Sequence, residues 1–336
     1  MNEYITINYY NRNDLIDALR GWATFLVVLG HSVTYYPINL HETVVGEFLY
    51  SLAISVHIPL FFLLSGYCYR IKNTYKEYII GKIFTIVIPY FVFNILDMIF
   101  RSIFSNLVNR PRGIVASIKK MLFFGGEYWF LYVLFIILLV YPIIDNWLDK
   151  SKKLSLLLLL VLMIISAFDS NYKTFIIRGV LRYLFWFHLG KVLKEMDYLN
   201  QKNAYKKNYS LPLAIISFFI WSVFTRKLNI DFFCKDILVA LLGVVFARLI
   251  SDFFLVRKLF VRYGINSLQI YLLNGFFLVI SRTILNKVLQ VSDPFITISF
   301  NVSINLIFVN WLIENFIKKL PIVPMFMGMK KNNLIA

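Results

Sequence analysis

Cysteine is nearly missing from this chain. Cys68 and Cys234 are the 2 cysteines in 336 residues, so a disulfide-stapled fold is excluded. Neither has metal-ligand spacing. No phosphate-cradling glycine-rich loop and no Ser-His-Asp order stands out. Glycine is sparse, at 14 residues, and no Gly- or Ser-rich linker divides the chain. Acidic residues are also few, 18 against 35 Lys and Arg. No polar stretch is long enough to form a second domain, so a single membrane domain over residues 1–336 is expected.

Apolar residues fill the space. They make up 59% of the chain, and the mean hydropathy is +0.69. Apolar runs of about 20 residues recur along the whole length, the length a bilayer requires. The reading is an all-α, polytopic membrane protein with about ten transmembrane helices, at roughly 17–36, 46–69, 77–100, 128–148, 153–168, 174–194, 209–225, 235–251, 264–285 and 295–317. The first segment keeps its charges and lacks a small-residue cleavage site, so it does not read as a removable signal peptide. The net charge of +17 is spread over short loops. Such charge sets orientation and meets anionic lipid; it does not build a nucleic-acid surface. With both termini in the cytoplasm, inner loops carry 20 basic residues and outer loops 10. On that topology the two cysteines fall on opposite membrane faces and cannot pair. Residues 101–127 resist the assignment, since they hold five of the outer basic residues. Their stretch GIVASIKKMLFF reads either as an interfacial helix or as a re-entrant one.

The first apolar segment carries the chemistry. In LIDALRGWATFLVVLGHSVTYY, Arg20 and His31 stand eleven residues apart, with Asp17 just before. Eleven helical steps rotate by about 20°, so both residues share one face, roughly 16 Å apart along the axis. Ionisable groups in hydrocarbon are costly and usually functional. The layout suits a ligand with a charged head at the surface and a reactive end at depth. Arg20 is read either as a phosphate ligand, by its planar fork, or as the i, i+3 partner of Asp17.

Other segments add to this pattern. HIPLFFLLSGYCYR runs from His57 to Arg70 and includes Pro59, Ser65 and Gly66. EYWFLYVLF holds Tyr128, Trp129, Phe130 and Leu131. FWFHLGKVL contains His188. YGINSLQIYLLN holds Ser267, Tyr271 and Asn274. Together with Arg20-x10-His31, their order and spacing resemble the acyltransferase-3 family of integral-membrane O-acyltransferases, from residue 14 to about 317. Asn274 stands where that family often has histidine, and Thr85 stands where a second basic residue often follows Lys82.

The resemblance implies transfer of an acyl group, usually acetyl, from cytoplasmic acyl-CoA to a hydroxyl of a cell-surface polysaccharide or its lipid-linked precursor. The membrane would be the bacterial cytoplasmic one. Acetyl-CoA would be the donor, with no resident cofactor and no metal. The partners would be donor, glycan or lipid-linked glycan, and membrane lipid, with no nucleic acid. His31, with an ordinary pKa of about 6.5, is the candidate general base. Asp17 and Arg20 complete that motif, and Arg20, Arg70 and Lys82 are candidates for the donor's phosphates, with Lys72 beside them. His57 precedes a proline that can kink its helix; it either acts directly or satisfies freed backbone. Ser65 reads as a packing or hydrogen-bonding residue rather than a nucleophile. Trp129, Arg182 and Arg282 are candidates for the acceptor, against the alternatives of an aromatic belt and snorkelling cations. His188 reads as a core histidine satisfied by its neighbours. A transporter or flippase of lipid-linked glycans is the rival class; it would need no base at position 31.

Overall fold

The computed structural model describes residues 13–34, 40–71, 74–108, 112–148, 151–168, 175–196, 207–227, 234–291 and 293–329. Lys72, and several of the loop lysines counted above, lie outside them. Among the described residues there is no strand.

The first five helices are α1 (Asp14–Val33), α2 (Val44–Tyr67), α3 (Tyr75–Lys82), α4 (Ile88–Ile103) and α5 (Ile114–Phe124). They are followed by α6 (Trp129–Leu148), α7 (Lys152–Ala167), α8 (Phe175–Glu195), α9 (Lys207–Lys227) and α10 (Lys235–Ile250). The last are α11 (Phe254–Ile265), α12 (Ser267–Arg282), α13 (Pro294–Ser303), α14 (Val309–Asn315) and α15 (Val323–Phe326). Side-chain caps fix several starts. Asn13 accepts from Leu15 N, Thr43 from Gly46 N, Thr74 from Glu77 N and Asp293 from Ile296 N. Gly125 ends α5 at φ 73°, in the left-handed region that favours glycine.

Widened π-turns at Ile83–Val87 and Ile304–Phe308 join α3 to α4 and α13 to α14, and a third at Thr283–Val288 extends the end of α12. In the first, Ile88 N bonds to Ile83 O, a five-residue step. Pro89 follows directly. It lacks an N–H, and its ring would crowd the Thr85 carbonyl in a regular α-helix.

Every apolar segment expected from the sequence is helical, yet the count of about ten crossings is not supported. Among the described residues, 5 helices are long and apolar enough to cross a membrane, or 6 if the pair α10–α11, bent by 114°, is one span. The physical reason is length and charge. Helices α7 and α10 have 16 residues each, and the apolar part of α9 is confined to Ser210–Thr225. Helix α1 carries Asp14, Asp17 and Arg20; α8 carries Arg178, Arg182, Lys191 and Lys194. The chain is an all-α integral membrane protein.

Helix α1 lies at the centre, with 15 of its 20 residues buried. It packs against α2 and α11, and α2 in turn packs against α8. Glycines permit the close crossings. A Cβ on Gly264 would stand 1.7 Å from the Asp17 carbonyl oxygen, and one on Gly21 would stand 1.9 Å from that of Phe260. Gly66 and Gly190 do the same between α2 and α8. Residues assigned to a loop by sequence, including Arg257, Lys258 and Arg262, thus form a helix docked on the buried start of α1.

Candidate active site

Helices α1 and α2 run antiparallel. Arg20 reaches Cys68 at the end of α2, while Gly30 faces Ala53 far up the same helix. One side of this pair borders a cavity of about 150 Å³. Arg20 and Val27 line it from α1; Ile58, Phe61 and Ser65 line it from α2. Phe130, Leu131 and Leu134 of α6 face them, with Ile86 of the first π-turn and Ser267, Leu268 and Tyr271 at the start of α12. All four of the main motifs therefore contribute to one wall or another.

The cavity is mostly apolar, with Arg20 near one end. The Arg20 guanidinium lies 3.4 Å from an Asp17 oxygen and 3.2 Å from Cys68 Sγ. Its side chain is 30% exposed, whereas that of Asp17 is 4% exposed. The buried carboxylate thus has a partner that still reaches solvent and the cavity. Ser65 donates its hydroxyl hydrogen to Phe61 O at 2.7 Å, leaving its oxygen lone pairs at the cavity wall.

The other end of the α1–α2 pair holds the histidines. His31 lies one helical turn beyond Val27, and His57 one turn before Phe61, each on its helix's cavity-lining face. The two imidazoles are close enough to influence each other electrostatically, and the Glu127 carboxylate also acts on His31. His57 Nδ1 stands 2.6 Å from Ala53 O. A carbonyl only accepts, so Nδ1 carries the hydrogen and Nε2 is the acceptor in the neutral ring. The carbonyl that Pro59 frees belongs to Ser55, four residues earlier, and not to Ala53.

The remaining candidates sit apart. Arg70 is exposed just past α2, and Lys82 lies over the Tyr78 ring at the end of α3. Trp129 packs edge-on to Phe175 and tilted on Tyr183, beside the cavity-lining Phe130. Arg182 pairs with Asp236 at 3.4 Å. Arg282, 3% exposed, donates to Leu107 O at 2.9 Å. Neither Arg182 nor Arg282 lines the cavity. His188 is fully buried, with Nδ1 2.8 Å from the Tyr141 hydroxyl and Nε2 2.9 Å from Ser155 O. It is a core histidine with both nitrogens satisfied.

Sequence reasoning passed over one feature, the ion-pair knot around Glu127. Its carboxylate takes Lys120 at 2.7 Å, Arg112 at 2.8 Å and Arg101 at 3.8 Å. Arg101 also pairs with Asp97 at 2.6 Å, and Asn94 accepts from Glu127 N. Three of the five basic residues that strained the outer-loop assignment are thereby held in ion pairs. The signal was the lone acid opening EYWFLYVLF, close to so many cations in sequence. The stretch between them is helix α5, whose Val115, Ile118 and Phe123 are exposed.

The cavity lies within an apolar helical bundle, with a guanidinium near one end and His31 and His57 one helical turn beyond its lining residues. The family model described as an acyltransferase domain, acyltransferase-3, covers residues 13–314, and the chain belongs to that family as an acyltransferase. No curated protein and no solved structure matches it.

Proposed function

We propose that this acyltransferase moves an acetyl group from cytoplasmic acetyl-CoA to a hydroxyl of a cell-surface polysaccharide or its lipid-linked precursor. The observation that carries this reading is the shared cavity, where Arg20, Ser65, Phe130 and Tyr271 of four separate motifs converge, with Val27 one helical turn before His31. His31 removes the acceptor's hydroxyl proton as that oxygen attacks the thioester carbonyl. The carbon–sulfur bond breaks, the acetyl ester forms, and coenzyme A leaves as the thiolate and takes up the proton. Arg20 grips a donor phosphate by its fork, with Arg70 and Lys82 adding charge at the same membrane face. His57 and Trp129 border the acceptor side. The ten helical segments serve as ten crossings, with both termini in the cytoplasm.

The test is transfer in proteoliposomes, with labelled acetyl-CoA outside and a hydroxyl-bearing glycan within reach. Label on the glycan together with free thiol supports the reading. A protein that moves lipid-linked glycan across the bilayer with no acetyl transfer, unaffected by His31→Ala, would replace it with a flippase.

A further inference from the structure

A second cavity, of about 320 Å³, lies on the other side of α1 and α2. Its floor is Leu60 and Leu63 of α2, and its walls are Ile216 of α9 with Leu242, Val245 and Leu249 of α10. Ile216 is 53% and Val245 44% exposed, so the cleft opens sideways, where lipid chains run. Such a space welcomes a hydrocarbon chain. One lining residue does not belong with hydrocarbon: Arg248, only 5% exposed.

The charges around it are asymmetric. One oxygen of Asp252, Oδ1, takes both the Arg248 guanidinium at 2.6 Å and the Arg257 guanidinium at 3.3 Å. The other, Oδ2, is buried and has no hydrogen-bond partner. Arg248 Nε is likewise buried with no partner. Arg257 uses its own Nε on Ser251 O. Two guanidinium groups against one carboxylate leave one positive charge. Buried polar atoms without partners are costly. Of these two residues, Arg248 lines the cleft and Asp252 does not.

We infer that this cleft is a binding site for an anionic phospholipid. One acyl chain lies against Leu60, Leu63 and Leu242. The phosphate accepts from the Arg248 guanidinium and balances the surplus charge. Basic pockets between transmembrane helices are a known setting for such head groups. This site is separate from the acyl-transfer cavity, and the inference does not rest on which acyl group or acceptor is used.

Native mass spectrometry of the purified full chain tests it, with lipid added back to detergent. Phosphatidylglycerol should be retained in preference to phosphatidylcholine. Arg248→Lys keeps the charge but loses the planar fork, and should bind phosphatidylglycerol about tenfold more weakly. Ile216→Trp, placed on the outward wall where folding is least affected, should fill the cleft and abolish retention. Equal retention of phosphatidylglycerol and phosphatidylcholine overturns the site, as does wild-type retention by Ile216→Trp. Thermal stabilisation by millimolar inorganic phosphate equal to that by the lipid overturns a lipid occupant.

Discussion

Replacing Arg20 by alanine removes two interactions at once, and the structure separates them. The first is structural. Arg20 meets Asp17 through one contact at 3.4 Å and is 30% exposed, so the pair itself contributes about 0–1 kcal/mol. Asp17, however, is 4% exposed, and taking a cationic partner from a buried carboxylate costs up to about 3–5 kcal/mol in a dry site. Solvent reaching position 20 lowers that, to about 2 kcal/mol. The second interaction is with the donor. A charge-assisted fork on a phosphate contributes about 1.5–3 kcal/mol, or roughly 10–150-fold in Kd. The double variant Asp17→Asn, Arg20→Ala removes the buried charge together with its partner. Its thermal stability should recover most of what Arg20→Ala loses, while its affinity for acetyl-CoA stays weak. Asp17→Asn alone should bind donor as wild type does. Arg20→Lys should restore only part of the affinity, because it keeps the charge without the planar fork. The assay is donor titration of protein in nanodiscs, with unfolding followed on the same samples. If the double variant binds acetyl-CoA like wild type, Arg20 serves Asp17 alone, and the phosphates are held elsewhere, with Arg70 and Lys82 next to test.

Three further outcomes are expected. His31→Ala should insert normally and keep donor affinity, yet lose about 10²–10⁴-fold in transfer rate, measured as thiol release; wild-type turnover would remove His31 from the chemistry. Gly264→Ala should lower thermal stability by about 1–3 kcal/mol, because its methyl would stand 1.7 Å from the Asp17 carbonyl, whereas Gly81→Ala, with nothing within 4 Å, should leave it within about 1 kcal/mol; equal shifts would deny the close α1–α11 crossing. With Cys68 and Cys234 replaced, a cysteine at Lys76 should react with impermeant reagent only from the cytoplasmic side and one at Glu42 only from outside; the reverse pattern would invert the topology.

Local geometry was legible in the sequence. Arg20 and His31 share a face because helical phase depends only on spacing. The convergence of the motifs on one cavity was foreshadowed by their family pattern rather than by any residue's own chemistry. What sequence could not supply was long-range. Cys68 has no partner that spacing reveals, yet it lies 3.2 Å from Arg20, 48 residues away. The loop residues 101–127 look like excess positive charge until Glu127 gathers Arg101, Arg112 and Lys120. Charge counting treats each cation as free, and a folded ion-pair knot is invisible to it. The count of ten spans goes beyond what helix length supports, since α7 and α10 are as apolar as expected but only 16 residues long.

The π-turn at Ile83–Val87 bears on how this chain tolerates changes of length. Its extra residue resets the phase between α3 and α4, so that Ile86 meets the cavity while Phe91 and Ile95 point outward. Removing one residue there would restore a regular helix and swing α3 by about 100° relative to α4. Lys82 and the whole of α3 would then face a different neighbour, though no side chain had been exchanged for a worse one. The segment is therefore more exposed to a one-codon deletion than to most substitutions, and its residues, ordinary in type, are constrained in number.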